Sequence, residues 1–243
     1  MKYRVERKYF CSDYQMLVLR QSLAAILPVD EHQTGDAYAV RSVYLDSYAD
    51  ESWEENEEGV DDRKKYRIRI YPDADERIRF EVKYKKRSRT RKEAFPIRRG
   101  ECEKILQGES LMEALGSGAL ETDGRMDRLD DLRNRVAVDG QAGLWKPALI
   151  VDYERSAYVY PMGNVRITFD RNIAASICIP QFFDRDLPLT PILPTHMHLL
   201  EVKYDEFLPD FIAQLLDLGT LQHVTFSKYY LCRQAMEMQK RLV

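Results

Sequence analysis

The residues best placed to do chemistry in this chain are arginines, lysines and glutamates set two positions apart. Arg4, Glu6 and Lys8 alternate with Tyr3, Val5, Arg7 and Tyr9, and Lys65, Arg67 and Arg69 alternate with Tyr66, Ile68 and Ile70. Further on, Arg79, Glu81, Lys83 and Lys85 alternate with Phe80, Val82 and Tyr84. Arg166, Thr168 and Asp170 oppose Val165, Ile167 and Phe169, and Glu201 and Lys203 oppose Leu200, Val202 and Tyr204. Positions i, i+2 and i+4 of a strand share a face, so each run presents one charged and one apolar side. Arginine grips oxyanions with paired N–H donors and lysine adds a compact point charge, which suits a phosphate chain. Carboxylates among these cations call for a bridge. Mg²⁺ or Mn²⁺ takes one or two protein carboxylates and completes its shell with water and phosphate oxygens. Glu201 is the first candidate ligand, followed by Glu6 and Glu81, and Glu81 is expected rather to pair with a neighbouring Arg or Lys.

One such strand would be an ordinary amphipathic strand with its polar face in water. Five of them, carrying both signs of charge, point to a sheet that closes on itself with the charged faces inside. Eight strands leave a bore about wide enough for side chains or one small ligand. Unpaired buried cations cost several kcal/mol, roughly, so such a bore needs anions, and a linear polyphosphate supplies them. The expected fold is α+β, an eight-stranded antiparallel β-barrel with helices packed outside, in a single domain over 1–243. The eight strand-like runs are 3–10, 38–46, 64–71, 77–85, 92–97, 148–155, 164–170 and 198–204. Helices are expected at Asp13–Leu27 after a Ser12 cap, in parts of 100–115 and 126–138, at Phe207–Leu218, and from Ser227 toward Arg241. Asp50–Asp62 and Gly116–Gly124 read as surface loops, and Pro180–Pro194 as a connection crossing the outside.

The net charge of −3 over 243 residues hides a segregation. Asp50–Asp62 holds eight acids and no Lys or Arg, whereas 63–99 holds sixteen basic residues against five acids. Such a basic block needs a polyanion, an acidic surface or solvent around it. The apolar stretches are far shorter than the roughly 20 residues that cross a bilayer, and no signal peptide is visible. Cys11, Cys102, Cys178 and Cys232 are scattered, without the spacing of a zinc site or a disulfide framework, so a reducing cytoplasm is the expected location. No Gly-rich nucleotide loop is present, and no motif for sequence-specific nucleic-acid recognition. His196 and His198 form a His-x-His pair, expected to be surface or structural residues.

Taken in order, these residues resemble the VTC-type domain of polyphosphate polymerases, within the triphosphate tunnel metalloenzyme superfamily. The likeness rests on Arg4-Val-Glu-Arg-Lys-Tyr9, Val43-Tyr-Leu-Asp-Ser47, Tyr66-Arg-Ile-Arg69 and Phe80-Glu-Val-Lys-Tyr84. It continues through Tyr153-Glu-Arg-Ser-Ala-Tyr158, Val165-Arg-Ile-Thr-Phe-Asp170, Leu200-Glu-Val-Lys-Tyr204 and Ser227-Lys-Tyr229. The resemblance implies a tunnel whose basic residues hold ATP by its triphosphate and then a growing inorganic polyphosphate. Lys8, Arg67, Arg69, Lys83, Arg155, Arg166 and Lys228 would be its catalytic and phosphate-binding residues, with Lys203 a further phosphate contact and Glu201 and Glu6 the metal carboxylates. Arg155 shares its parity with Val151 and Tyr153, so its place in the tunnel rests on the resemblance. Lys228 rests on the motif and on its position at the start of an expected helix, where free N–H groups favour anions.

The triphosphatase branch of that superfamily is recognised by Glu-x-Glu-x-Lys on the first strand, and this chain has Arg4-Val-Glu6-Arg-Lys8. An arginine there removes a metal ligand and adds a phosphate contact. That favours phosphoryl transfer over hydrolysis, because a terminal phosphate oxygen is already an anionic nucleophile. A triphosphatase or nucleotide-cyclising enzyme of the same fold is the second reading. A non-catalytic polyphosphate- or nucleic-acid-binding module is the third, motivated by the basic run from Lys83 to Arg99. Many cations of that run are expected on the tunnel mouth or in solvent.

Overall fold

The computed structural model describes residues 3–72, 77–87, 89–116, 126–217 and 220–240. The alternating Val, Ile, Tyr and Phe positions build β1 (Arg4–Ser12), β2 (Tyr38–Asp46), β3 (Arg63–Ile70), β4 (Arg79–Lys86), β5 (Arg89–Pro96), β6 (Lys146–Tyr160), β7 (Val165–Ser176) and β9 (Met197–Tyr204). Two short strands, β8 (Thr190–Pro191) and β10 (Gln222–His223), add to β7 and β1. All pairs are antiparallel in the order β1-β5-β4-β3-β2-β6-β7-β9, and β9 returns to β1, which closes the barrel. The weakest seam is β1–β5, with two residue pairs, Arg4 opposite Thr90 and Val5 opposite Arg89. Side chains reinforce it: Lys83 and Thr90 both donate to Glu6, at 2.9 and 3.0 Å.

The apolar faces point outward and are covered by helices. One core packs Val43, Ile68, Phe80, Val82 and Phe95 under α3 (Arg99–Leu106), α4 (Leu111–Leu115) and α5 (Met126–Ala142). A second packs Tyr9, Ile167, Phe169, Leu200 and Val202 under α1 (Asp13–Ala24) and α6 (Asp210–Leu216). At roughly 25 cal/mol per Å² of apolar surface removed from water, these two layers are the main source of stability. α1 begins where the sequence places its cap: Ser12 and Gln15 bond each other's backbone N–H reciprocally, at 3.3 and 2.9 Å.

The last helix, α7 (Lys228–Lys240), is seated across one end of the barrel. Tyr229, Cys232 and Met236 pack on Val40, Tyr44, Leu149, Val151 and Leu199, which share their strand faces with the bore. The bore is therefore apolar where α7 closes it and charged beyond.

Two connections differ from expectation. Asp50–Asp62 contains a helix, α2 (Glu51–Glu57), rather than only loop. The buried Asp46 carboxylate accepts the N–H groups of Ser52 and Trp53, and Trp53 stacks on Tyr230 of α7 at 4.7 Å between ring centres, so the acidic segment is tethered. Pro180–Pro194 buries Phe182 completely, and β8 pairs with β7, so it is partly core. Of the expected loop Gly116–Gly124, residues 117–124 lie outside the described residues. No helix among the described residues is long and apolar enough to cross a membrane.

Candidate functional site

Two groups of buried carboxylates organise the charged bore. On the wall made by β1, β7 and β9, Glu201 accepts Lys203 Nζ at 2.7 Å and Lys228 Nζ at 2.8 Å, with Lys8 Nζ and Arg155 Nη2 each at 3.6 Å. Lys228 also reaches Asp170 at 2.5 Å, and Arg155 holds Asp170 through two N–H donors at 2.6 and 2.7 Å. Glu6 takes Lys83 at 2.9 Å and Lys8 at 3.2 Å. On the opposite wall, Glu81 takes Arg67 at 2.5 Å, Lys92 at 2.8 Å and Arg69 at 3.9 Å. Tyrosines complete the lining: Arg67 donates to Tyr44 Oη at 3.0 Å and Arg69 to Tyr153 Oη at 3.3 Å. Arg155 and Lys228 both lie near the Tyr153 ring, at 5.1 and 4.9 Å from its centre.

Burial by itself would raise every one of these carboxyl groups, yet all four stand below the usual carboxylate range. Lys83, Lys8 and Lys203 outweigh burial at Glu6; Arg67, Arg69 and Lys92 do so at Glu81; Lys203, Lys228 and Lys8 do so at Glu201. The cations divide. Burial lowers Lys83 to about 8 despite Glu6, whereas at Lys228 the charges of Asp170 and Glu201 outweigh burial and raise it. These are internal ion pairs whose charges are already desolvated, so an incoming oxyanion can exchange with a carboxylate without a fresh desolvation of the cation.

The structure brings together Lys8, Arg67, Arg69, Lys83, Arg155, Lys203 and Lys228 with Glu6 and Glu201. Glu81 forms ion pairs, as its neighbours suggested. Arg166 lies on the charged face of β7 opposite Lys203, where it pairs with Asp30 at 3.0 Å and donates to Tyr38 Oη at 3.1 Å. The Val151, Tyr153 and Arg155 face of β6 is the inner one, its apolar part lying under α7. Arg4 does not sit free as a phosphate contact: it pairs with Asp205 at 2.9 Å and donates to the carbonyl of Asn164. His196 and His198 both bond the Asp13 carboxylate, at 2.6 and 2.5 Å. In the basic run, Lys86, Arg87 and Arg89 are exposed and Arg91 lies 4.5 Å from the Tyr84 ring centre.

The expected phosphate and metal contacts do not include Asp170 and Lys65, although both stand on the charged faces read from the sequence, nor Lys92, Tyr44 and Tyr153. For Asp170 and Lys65 the signal was the same alternation that selected their neighbours. Lys92 lies within the expected strand 92–97 but also within the basic run expected on the mouth or in solvent, and its place opposite Lys83 follows from the register of β5 on β4.

No group of three or more acidic, His or Cys side chains converges to hold a metal ion among the described residues. Glu6 and Glu201, both contacted by Lys8 Nζ, offer two carboxylates from neighbouring strands. That set fits Mg²⁺ or Mn²⁺ sharing its shell with phosphate oxygens and water, and does not fit an all-protein cage.

A closed eight-stranded barrel with an Arg- and Lys-lined bore and buried carboxylates has the triphosphate tunnel fold. The chain belongs to the VTC domain family, whose profile matches residues 3–237. A Hippeastrum protein, described as an adenylyl cyclase candidate with a dominant triphosphatase activity, shares the fold at a TM-score of 0.55 and 15% identity, over 97% of this chain and 96% of its own. An adenylate cyclase candidate from Bacillus halodurans aligns at 0.49 and 14% identity over 93% and 95%. The Mimivirus capping enzyme triphosphatase aligns at 0.39 and 10% identity over 89% and 87%. No curated protein matches the sequence.

Proposed function

We propose that the barrel is a metal-dependent, polyphosphate polymerase-like phosphotransferase that takes ATP by its triphosphate. The observation that carries this is the excess of bore cations over carboxylates among the described residues: Lys8, Lys65, Arg67, Arg69, Lys83, Lys92, Arg155, Lys203 and Lys228 stand against Glu6, Glu81, Asp170 and Glu201, with Asp46 acting on Lys65 from the end of β2. Membership of the VTC domain family supports the same reading. In the proposed reaction an oxygen of the acceptor's terminal phosphate bonds to the γ-phosphorus. The bond from that phosphorus to the β–γ bridging oxygen breaks, and ADP leaves with the electron pair. Arg67, Arg69 and Arg155 hold equatorial oxygens by paired N–H donors, and Lys8, Lys83, Lys203 and Lys228 offset charge as it moves. A divalent ion on Glu201 and Glu6 would supply further charge neutralisation at phosphate oxygens.

Hydrolysis of triphosphate is the second reading, favoured by Glu6 and Lys8, which keep two of the three residues of the first-strand Glu-x-Glu-x-Lys pattern. Incubation with ATP and Mn²⁺ separates the readings. Polymer plus ADP supports transfer, free phosphate without polymer supports hydrolysis, and neither product leaves a binding module.

A further inference from the structure

Helix α1 is apolar on two sides. Leu19 and Leu23 are buried toward the barrel, where they pack with Ile212 and Leu216 of α6. A surface helix ordinarily turns charged residues away from its buried side, and a helix that is apolar all round is buried. The outer side of α1 departs from that rule. It presents Tyr14, Leu17, Val18, Gln21, Ala24 and, at the C-cap, Ala25; the turn that follows adds Ile26 and Val29. Tyr14 is 76% exposed, and Leu17 and Ile26 are each 55% exposed. Every exposed residue from Tyr14 to Val29 is uncharged. Arg20, within this span, donates instead to the side chain and the carbonyl of Asp36.

The ridge presents on the order of 500 Å² of apolar surface, near the top of the range for the largest patch on a monomer. Two copies face to face would bury on the order of 1,000 Å², the lower limit for a specific interface. A contact between identical copies about a two-fold axis must be self-complementary. A charge-free face meets that condition, and the order of side chains along α1 adds shape. Bulky Leu17 and Val18 lie before Gln21, and small Ala24 and Ala25 lie after it at matching distances. A second α1 set antiparallel about Gln21 therefore places Leu17 on Ala25 and Val18 on Ala24. Ala25 keeps right-handed helical backbone angles, so it continues the face. The alanines allow a close interaxial approach within the usual range of about 8–10 Å. At the axis the two Gln21 amides can each donate to the other's carbonyl oxygen. A bilayer fits less well, because the exposed residues flanking the ridge, Asp13 and Glu31, are acidic. Among the described residues between them, no exposed lysine or arginine is present to meet anionic headgroups.

We propose that α1 is the contact helix of a homodimer, in which two copies pack antiparallel about a two-fold axis at Gln21. Leu17 and Val18 of each copy sit on Ala25 and Ala24 of the other. Because α1 packs on the outer faces of β1 and β9, the ridge points away from the bore, and the dimer does not depend on what the bore binds. The small area makes the association weak and reversible, on the micromolar scale. An isologous contact uses the same patch on both copies, so assembly stops at two chains.

The test is sedimentation velocity of the full chain from low-micromolar to submillimolar concentration. The wild type should pass from one chain to two as concentration rises. Leu17→Glu and Ala25→Lys, each alone, should raise the dissociation constant roughly tenfold or more, because each dimer then buries two unpaired charges. An equimolar mixture of the two variants should recover a heterodimer, since antiparallel pairing sets the introduced carboxylate against the introduced ammonium. Both positions are exposed, and circular dichroism melts identify any variant that fails to fold. A wild type that stays a single chain at the highest concentration overturns the dimer, and its co-sedimentation with phosphatidylserine vesicles would assign the ridge to a bilayer instead. Association unchanged in both folded variants overturns the choice of α1. A mixture that stays monomeric overturns the antiparallel pairing at Gln21, and assembly beyond two chains overturns the closed contact.

Discussion

Lys228 Nζ lies 2.8 Å from Glu201 Oε1, and this contact ties the first residue of α7 to the inner face of β9. The same ammonium reaches Asp170 of β7, so one side chain joins the closing helix to two adjacent strands. Both carboxylates are buried and count on this cation. Removing one partner of a buried ion pair leaves its charge uncompensated, at about 3 kcal/mol or more. Lys228→Met should therefore lower unfolding stability in urea by about that amount. Lys228→Met combined with Glu201→Gln should lose less than the sum of the single variants, because the second change removes the stranded charge. Simple additivity would show that the contact is not energetically coupled.

The acid side of the stability curve follows from the four bore carboxylates. Their folded pKa values are depressed by surrounding cations, so they release protons more readily folded than unfolded. Their stabilisation is fully present above the unfolded carboxylate range near ~4 and is lost as pH falls through the folded values. Thermal melts should hold steady down to about pH 5 and fall steeply below it. Glu81→Gln should reduce the steepness, since Arg67, Arg69 and Lys92 then have no titrating partner. Parallel acid limbs for variant and wild type would contradict the role of Glu81.

Much of this arrangement was legible because a closed barrel preserves strand parity. Lys65, Arg67, Arg69, Glu81 and Lys83 face inward for the same reason that Tyr66, Ile68, Phe80 and Val82 face outward. Parity alone misled at β6, where Val151 and Tyr153 share the inner face with Arg155. Those apolar residues line the bore because α7 covers that end, and a helix arriving some eighty residues later leaves no local mark on β6. The helix inside Asp50–Asp62 was hidden similarly: its eight acids read as solvated loop, while its anchors, Asp46 and Tyr230, lie outside the segment. Arg4 was read correctly by face, but its partner Asp205 is supplied by the turn after β9.

That last pair makes the first strand testable. Replacing Arg4 by Glu restores the Glu-x-Glu-x-Lys pattern, but it also sets a carboxylate against Asp205. Both side chains are partly exposed, so the lost pair and the new repulsion should together cost about 1 kcal/mol. Arg4→Glu should be slightly less stable than wild type, and Asp205→Arg should recover most of the loss in the double variant. The hydrolysis of ATP to free phosphate should be compared in the double variant, where the restored carboxylate is no longer opposed by Asp205. A double variant as unstable as the single one would show that Arg4 and Asp205 do not interact.

Anion affinity should depend on pH on the alkaline side as well. Burial lowers Lys83 to about 8, with Lys8 and Lys203 adding to the effect against Glu6, and burial lowers Lys92 to about 8 against Glu81. Below that pH both ammonium groups are charged and can meet a phosphate oxygen; above it they lose the proton and the attraction. A bound anion favours the protonated form, so binding above pH 8 must be accompanied by proton uptake. Tripolyphosphate affinity, measured without divalent metal, should be flat from about pH 6 to 7.5 and then fall, approaching tenfold per pH unit for each lysine that must be recharged. Arginine stays protonated throughout this range. Lys83→Arg should therefore soften the decline, and Lys83→Arg with Lys92→Arg should nearly remove it. A decline of undiminished slope in the double variant would assign the proton uptake to another group in the bore, with Lys65, Lys85 and Lys203 further lysines whose burial holds them low.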